Sequence, residues 1–104
     1  MQRMLPGRAT PAGSTRYTSR FSTTGFYRPA CAISVSSLGL GTYLGGVDES
    51  TDNAYATAVA AAVCGGINFL DSAINYRHQR SERSIGAALA RLFASGEFQR
   101  DEIV

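Results

Sequence analysis

The chain has 104 residues, of which 44% are hydrophobic, enough for one domain with a modest core. A net charge of +2 argues against nucleic acid as the main partner, and no apolar stretch approaches the roughly 18 residues that span a membrane. All ten basic residues are arginines, and no acidic residue precedes Asp48. The composition therefore predicts a soluble globular protein whose amino-terminal part is basic.

Residues 1–30 are rich in arginine, serine and threonine, which leaves two interpretations open. The alternation of Tyr17, Ser19 and Phe21 with polar residues, and a turn at Gly25, favour a β-hairpin or an extended basic arm, in a cytoplasmic protein. Alternatively, residues 1–28 are an organellar targeting segment, although the three prolines and three glycines within residues 1–30 oppose the amphipathic helix that such a segment needs.

Two short apolar runs, at residues 33–35 and 38–42, predict strand structure that ends near Thr42. A helix follows, with Ser50, Thr51 and Asp52 as candidate N-caps, and the pair at residues 65–66 is typical of a helix end because glycine readily adopts positive φ. The apolar face of this helix comprises Tyr55, Val59, Ala62 and Val63.

A second strand and helix are predicted downstream. Residues 67–70 form an apolar run typical of a buried strand, with Asp71 at its carboxyl end. Ser81 is the predicted N-cap of the next helix, Glu82 suits its first turn, and Gly96 ends it. Its apolar face comprises Ile85, Ala88, Leu89, Leu92 and Phe93. Residues 100–104 are predicted to begin a third strand, so the order of elements indicates an α/β fold with parallel strands.

Polar residues follow both predicted strands. Thr42 and Tyr43 come after Gly41 in the first, and Asp71 and Tyr76 follow the second. Because chemistry in α/β folds gathers at the carboxyl ends of the strands, we expect these residues to face one pocket.

Other kinds of site fit the sequence poorly. A dinucleotide-binding fingerprint would need a third glycine where Leu44 stands, and a phosphate-binding P-loop needs a lysine. His78 is the only histidine, and Cys31 and Cys64 lack metal-site spacing, so no metal site is predicted. Both cysteines are expected to be reduced and buried.

Three segments resemble motifs of the aldo/keto reductase superfamily: GLGTY at residues 39–43, GGINFLDSAINY at 65–76 and SERSIGAAL at 81–89. The resemblance implies that residues 31–104 are the amino-terminal portion of a (β/α)8 TIM barrel, about two and a half βα units, which residues 1–30 precede as an arm or hairpin. It also implies reduction of small carbonyl compounds with NADP(H), using an Asp, Tyr, Lys and His set.

On matching positions the resemblance makes Asp71 and Tyr76 catalytic, and places Thr42, Tyr43 and Asp71 beside the nicotinamide ribose. A phenol has an ordinary pKa of about 10, so a proton-donating Tyr76 needs a cation nearby. In the family this cation is a lysine, which a buried Asp71 would hold. No lysine occurs in the sequence, so we expect that the family's lysine and histidine follow Val104.

The sequence departs from the family pattern at three positions: Ser72 replaces a threonine, Arg77 a glycine and Tyr43 a tryptophan. Arg77, Arg80 and Arg83 are expected to form a solvated edge. The expected function is NADPH-dependent reduction of aldehydes or ketones. A cofactor-binding regulatory module of the same fold, or an inactive truncated chain, remains the alternative.

Overall fold

The structure is a computed structural model that describes residues 5–21 and 25–104. Within these residues the chain is a mixed α/β fold with short strands. Its elements are helix α1 (Pro11–Thr18), strands β1 (Tyr27–Ala30), β2 (Ile33–Ser36) and β3 (Gly39–Gly41), helix α2 (Glu49–Gly65), strand β4 (Phe69–Asp71), helix α3 (Arg80–Ala94) and a 3-10 turn (Arg100–Glu102).

Helix α1 replaces the extended segment expected around Tyr17, so that prediction was wrong. The Thr10 hydroxyl accepts a hydrogen bond from the Gly13 amide at 2.9 Å, and Pro11 occupies the first helical position, where its missing N–H costs nothing. Tyr17 is fully buried, and its hydroxyl donates to the carbonyl of Val63 in α2. Burial raises the pKa of Tyr17. A strong helix start and a tertiary contact therefore outweigh the short alternating pattern.

A β-hairpin does occur, but it lies further along the chain than expected. Strands β1 and β2 pair antiparallel with Tyr27 opposite Ser36, and the chain reverses at Cys31 and Ala32 rather than at Gly25. Both turn residues have positive φ, 49° and 67°, as a two-residue turn of type I′ requires. The division of the chain at residue 30 remains a prediction.

Strands β3 and β4 form a parallel pair that α2 connects, as the order of predicted elements indicated. Helix α2 begins earlier than expected because Asp48 is its N-cap, and the carboxylate accepts a hydrogen bond from the Thr51 amide at 2.7 Å. Gly66 ends the helix with a φ of 112°, which confirms the predicted glycine cap.

Helix α3 begins at Arg80, one residue before the predicted N-cap. Ser81 lies inside the helix, and its hydroxyl donates to the carbonyl of Thr42 instead of capping the helix. This carbonyl follows β3, so the serine ties α3 to the end of that strand.

Residues 100–102 form a 3-10 turn where a strand was expected, and extended backbone begins only at Ile103. The Val104 amide then donates to the Asn68 carbonyl at 2.8 Å, and the Leu70 amide donates to the Val104 carbonyl at 3.0 Å. This alternation is the hydrogen-bond pattern of parallel strands, so Val104 lies beside β4 as the start of a third strand would.

The core lies between the parallel pair, the two long helices and α1. Its buried apolar members are Tyr17, Val59, Val63, Ala88, Leu89, Phe98 and Ile103. The predicted face of α3 points inward, and that of α2 does so through Val59 and Val63. Tyr55 of the predicted α2 face instead donates its hydroxyl to the Leu44 carbonyl in the loop after β3. Cys31 and Cys64 are free but exposed, contrary to expectation, because one lies in the hairpin turn and the other near the solvent side of α2. No helix in the described part of the chain is long and apolar enough to cross a bilayer.

Helix α1 packs so closely on the 3-10 turn that Gly13→Ala is expected to destabilise the fold. A Cβ added at Gly13 would lie 2.3 Å from the Asp101 carbonyl oxygen, a backbone atom that cannot rotate away. We expect a loss of about 1–3 kcal/mol in the free energy of unfolding, measured by far-ultraviolet circular dichroism. The matched control is Gly65→Ala in α2, because a Cβ there meets nothing within 4 Å. The control should be neutral or slightly stabilising, and equal losses in both variants would contradict the observed docking of α1.

Candidate functional site

The carboxyl ends of β3 and β4 lie side by side. Gly41 and Asp71 are register partners, and Thr42 follows directly after β3. Thr42 is fully buried, and its hydroxyl donates to the main-chain carbonyl of Asp71 at 2.8 Å. The threonine therefore fixes the distance between the two strand ends and the loops that leave them.

Two tyrosines from these loops are in contact. The rings of Tyr43 and Tyr76 pack edge to face, with centroids 5.0 Å apart and an interplanar angle of 74°. This is a favourable geometry for aromatic pairs, because the positive edge of one ring meets the negative face of the other. Four of the five residues predicted to share a pocket thus fall into two contacting pairs, Thr42 with Asp71 and Tyr43 with Tyr76. The fifth, Gly41, is the register partner of Asp71.

Asp71 is exposed rather than buried, which corrects the expectation for its carboxylate. Because side chains alternate along a strand, Asp71 and Phe69 lie on the face of β4 opposite to Leu70, which packs against the core. Within residues 5–21 and 25–104 no hydrogen-bond donor reaches the carboxylate of Asp71. The side chain is therefore available to a cation or to a hydroxyl group.

An open cleft runs between the loops after β3 and β4. Its lining residues are Tyr43, Leu44, Gly45, Val47, Asn75, Arg77 and His78. Leu44, Val47 and nearby Ile74 are large apolar side chains that remain exposed. Asn75, Arg77 and His78 add polar groups to this lining, so the cleft is mixed in character. Of the predicted site residues Tyr43 lines it, whereas Thr42, Asp71 and Tyr76 do not.

Arg77 does not belong to a solvated edge, contrary to the sequence-based expectation. Its side chain is only 1% exposed. The guanidinium donates from Nε to the Gly46 carbonyl at 2.8 Å and from Nη2 to the Asp52 carboxylate at 2.6 Å, and it lies 4.9 Å from the centroid of the Tyr55 ring. Burial is tolerated because each of the three guanidinium nitrogens has a hydrogen-bond partner, one of which is a carboxylate.

Asp52 also binds Arg80. Arg80 Nε lies 3.1 Å from both carboxylate oxygens of Asp52, and its Nη2 lies 2.8 Å from Oδ2. These hydrogen bonds, with a smaller contribution from Arg77, hold the pKa of the Asp52 carboxyl below its usual range. Arg83, by contrast, is exposed as expected.

Sequence reasoning missed Arg77 and Asp52 as partners. The signal was present in two places: an arginine stands where the resemblance expects glycine, and the first turn of α2 carries an acidic residue. What could not be read was that the turn after β4 would bring the two together.

A parallel strand–helix–strand unit with polar side chains at the carboxyl ends of its strands defines an α/β protein with a site of the kind found in barrels and open sheets. A model of the aldo/keto reductase family matches residues 37–104, about two-thirds of the chain. The chain therefore belongs to the aldo/keto reductase family, a family of oxidoreductases that generally use NAD(P)H and act on small carbonyl compounds. Neither the curated proteins nor the solved structures compared with the chain give a significant match.

Proposed function

We propose that the protein is an NADPH-dependent reductase of aldehydes and ketones, in which Tyr76 donates the proton and Asp71 holds the cation that assists it. The single observation that carries this proposal is the arrangement at the strand ends. In this member of the family, the carboxylate of Asp71 at the end of β4 is exposed and accepts no hydrogen bond from the described residues, and the ring of Tyr76 contacts that of Tyr43.

NADPH, when bound, supplies the hydride. The protein then has to orient the carbonyl group and deliver a proton to the oxygen on which negative charge develops. The phenol of Tyr76 can donate this proton, but only if the phenolate that remains is stabilised by a nearby positive charge. The carboxylate of Asp71 is suited to bind such a cation, since no described side chain engages it.

The sequence contains no lysine, so we propose that the lysine and histidine of the family set lie outside residues 1–104. We also propose that the described elements are about two and a half units of a (β/α)8 barrel. Phe69 and Asp71 support this, because both are exposed on the strand face that a barrel interior would cover. The position of Val104 beside β4 adds a third parallel neighbour.

The predicted cofactor-binding residues differ in how well they fit direct contact with a nicotinamide ribose. Asp71 and Tyr43 fit, because an exposed carboxylate can accept hydrogen bonds from hydroxyl groups and an exposed ring can pack on the cofactor. Thr42 fits a supporting role better, because it is buried and its hydroxyl already donates to the Asp71 carbonyl.

The test is an assay of the protein as its gene encodes it. NADPH oxidation should accompany conversion of small aldehydes or ketones to alcohols, and NADPH affinity should be measured separately by equilibrium titration. Binding without turnover on a broad panel of carbonyl compounds would favour a cofactor-binding regulatory module instead. Absence of both binding and turnover would overturn the proposal and favour an inactive chain.

A further inference from the structure

The loop between β3 and α2, residues 42–48, is held by side chains at alternate carbonyl groups. Ser81 of α3 donates to the Thr42 carbonyl, Tyr55 of α2 donates to the Leu44 carbonyl, and Arg77 donates to the Gly46 carbonyl. The three donors thus come from two helices and from the β4–α3 loop. A loop that would otherwise be free to move, with Tyr43 on it, is thereby fixed at regular intervals.

Arg77 also joins the other donors to one another. Its guanidinium packs over the ring of Tyr55, and its Nη1 lies 3.4 Å from the Ser81 hydroxyl. Its remaining terminal nitrogen binds Asp52 in the first turn of α2. We call Arg77, Asp52, Tyr55 and Ser81 the arginine clamp. Only a guanidinium offers enough donors, in a planar arrangement, to make these contacts together.

The backbone at the clamp is strained. Arg77, His78 and Gln79 have φ values of 49°, 53° and 70°, a run of left-handed conformations that L-residues other than glycine adopt at a cost. Such a turn persists only where surrounding contacts determine it. The Arg77 and Gln79 carbonyls accept hydrogen bonds from the Arg80 and Arg83 amides, and the Arg77 side chain supplies the contacts to the β3–α2 loop and to α2. Tyr76 directly precedes the strained run, so the clamp also fixes the direction from which its ring leaves the backbone.

We propose that Arg77 is a positioning residue of the site: its buried guanidinium locks the β3–α2 loop to the β4–α3 loop and so holds Tyr43 against Tyr76. This inference rests on the proposed function for its catalytic consequence, though its structural part is independent of it. Arg77 stands where the family pattern expects a glycine. The backbone at this position therefore has less conformational freedom than a glycine would give it, but the arginine side chain can connect the β3–α2 and β4–α3 loops.

Arg77→Gly is the decisive variant, because glycine accepts a φ of 49° without strain while the guanidinium is lost. If the backbone alone sets the site, this variant keeps its geometry. If the clamp sets it, the nuclear Overhauser contacts between the rings of Tyr43 and Tyr76 should disappear in tyrosine-labelled protein. In the protein as its gene encodes it, kcat should fall by about 100-fold, and guanidinium ion added to the variant should restore part of it.

Arg83→Met is the matched control, since this arginine is exposed on the same helix that carries Ser81. It should keep both the ring contacts and kcat. Arg77→Lys is the second test, in case the glycine variant does not fold. Lysine keeps a buried cation beside Asp52, but it lacks the planar guanidinium that hydrogen-bonds Gly46 and Ser81 at the same time. It should weaken the ring contacts and lower kcat, by less than Arg77→Gly does.

Ring contacts and kcat that remain at wild-type values in Arg77→Gly, or in Arg77→Lys if the glycine variant does not fold, would overturn the inference. The ring contacts are measured without cofactor or substrate. Failure of the proposed function would show itself differently, as a wild-type protein that makes the ring contacts and reduces no carbonyl compound.

Discussion

Tyr76→Phe is expected to lower kcat for carbonyl reduction by about 100-fold or more, while the affinity for NADPH changes by less than about twofold. The substitution removes one hydroxyl group and keeps the ring that packs against Tyr43. Under the proposed function this hydroxyl is the proton donor, so its loss raises the barrier of the chemical step without removing a cofactor contact. The measurements are steady-state NADPH oxidation and equilibrium titration of NADPH, on the protein as its gene encodes it.

Tyr43→Phe is the matched comparison, because it removes the hydroxyl from the other ring of the same pair. Its effect on kcat should be far smaller, with any change appearing in the KM for the cofactor. A larger loss of kcat in Tyr43→Phe than in Tyr76→Phe would show that Tyr43, and not Tyr76, donates the proton. Full turnover in both variants would remove general-acid catalysis by either phenol from the proposal.

Most elements after residue 31 could be predicted because each pattern is local and strong. Helix α3 has an apolar face at regular helical spacing, and helix α2 is ended by Gly66, whose φ of 112° suits no other residue as well. The pairing of β3 with β4 could also be expected, because a helix between two strands favours a parallel pair. The positions of Thr42 and Asp71 at neighbouring strand ends follow from that pairing.

The remaining features depend on contacts between residues far apart in the sequence. Tyr17 fits an alternating pattern locally, but its position is set by burial against α2 and by the carbonyl of Val63. Arg77 is buried because Gly46, on the β3–α2 loop, and Asp52, in the first turn of α2, lie against its guanidinium. Neither contact leaves a periodic signal in the sequence. The pattern around Tyr17 therefore indicates an extended segment instead of a helix, and Arg77 resembles part of a solvated edge instead of a buried charge.

Helix α1 and the turn that follows it carry two arginines, Arg16 and Arg20, that neutralise a buried carboxylate. Glu102 has a fully buried side chain, and its carboxylate lies 3.3 Å from Arg16 Nε and 3.2 Å from Arg20 Nη2. Arg16 also pairs with Asp101, and Arg20 lies 4.5 Å above the ring of Phe98. In the described part of the chain no other cation reaches Glu102. Residues 16–20 are therefore part of the electrostatic structure of the fold.

Arg16→Met combined with Arg20→Met should accordingly lower the free energy of unfolding by about 3 kcal/mol or more, because a buried carboxylate is left without a cation. Adding Glu102→Gln should recover at least about 1 kcal/mol, since the neutral side chain needs no cation. In the wild-type protein the Gln99 amide donates to the Glu102 carboxylate at 2.7 Å, and the glutamine keeps an oxygen that can accept this hydrogen bond. The paired control replaces Arg8 and Arg28, both exposed, by methionine. Thermal unfolding by circular dichroism measures all variants. A double Arg16 and Arg20 variant as stable as this control would contradict the role of α1, and would leave a targeting segment as the better interpretation of the first 28 residues.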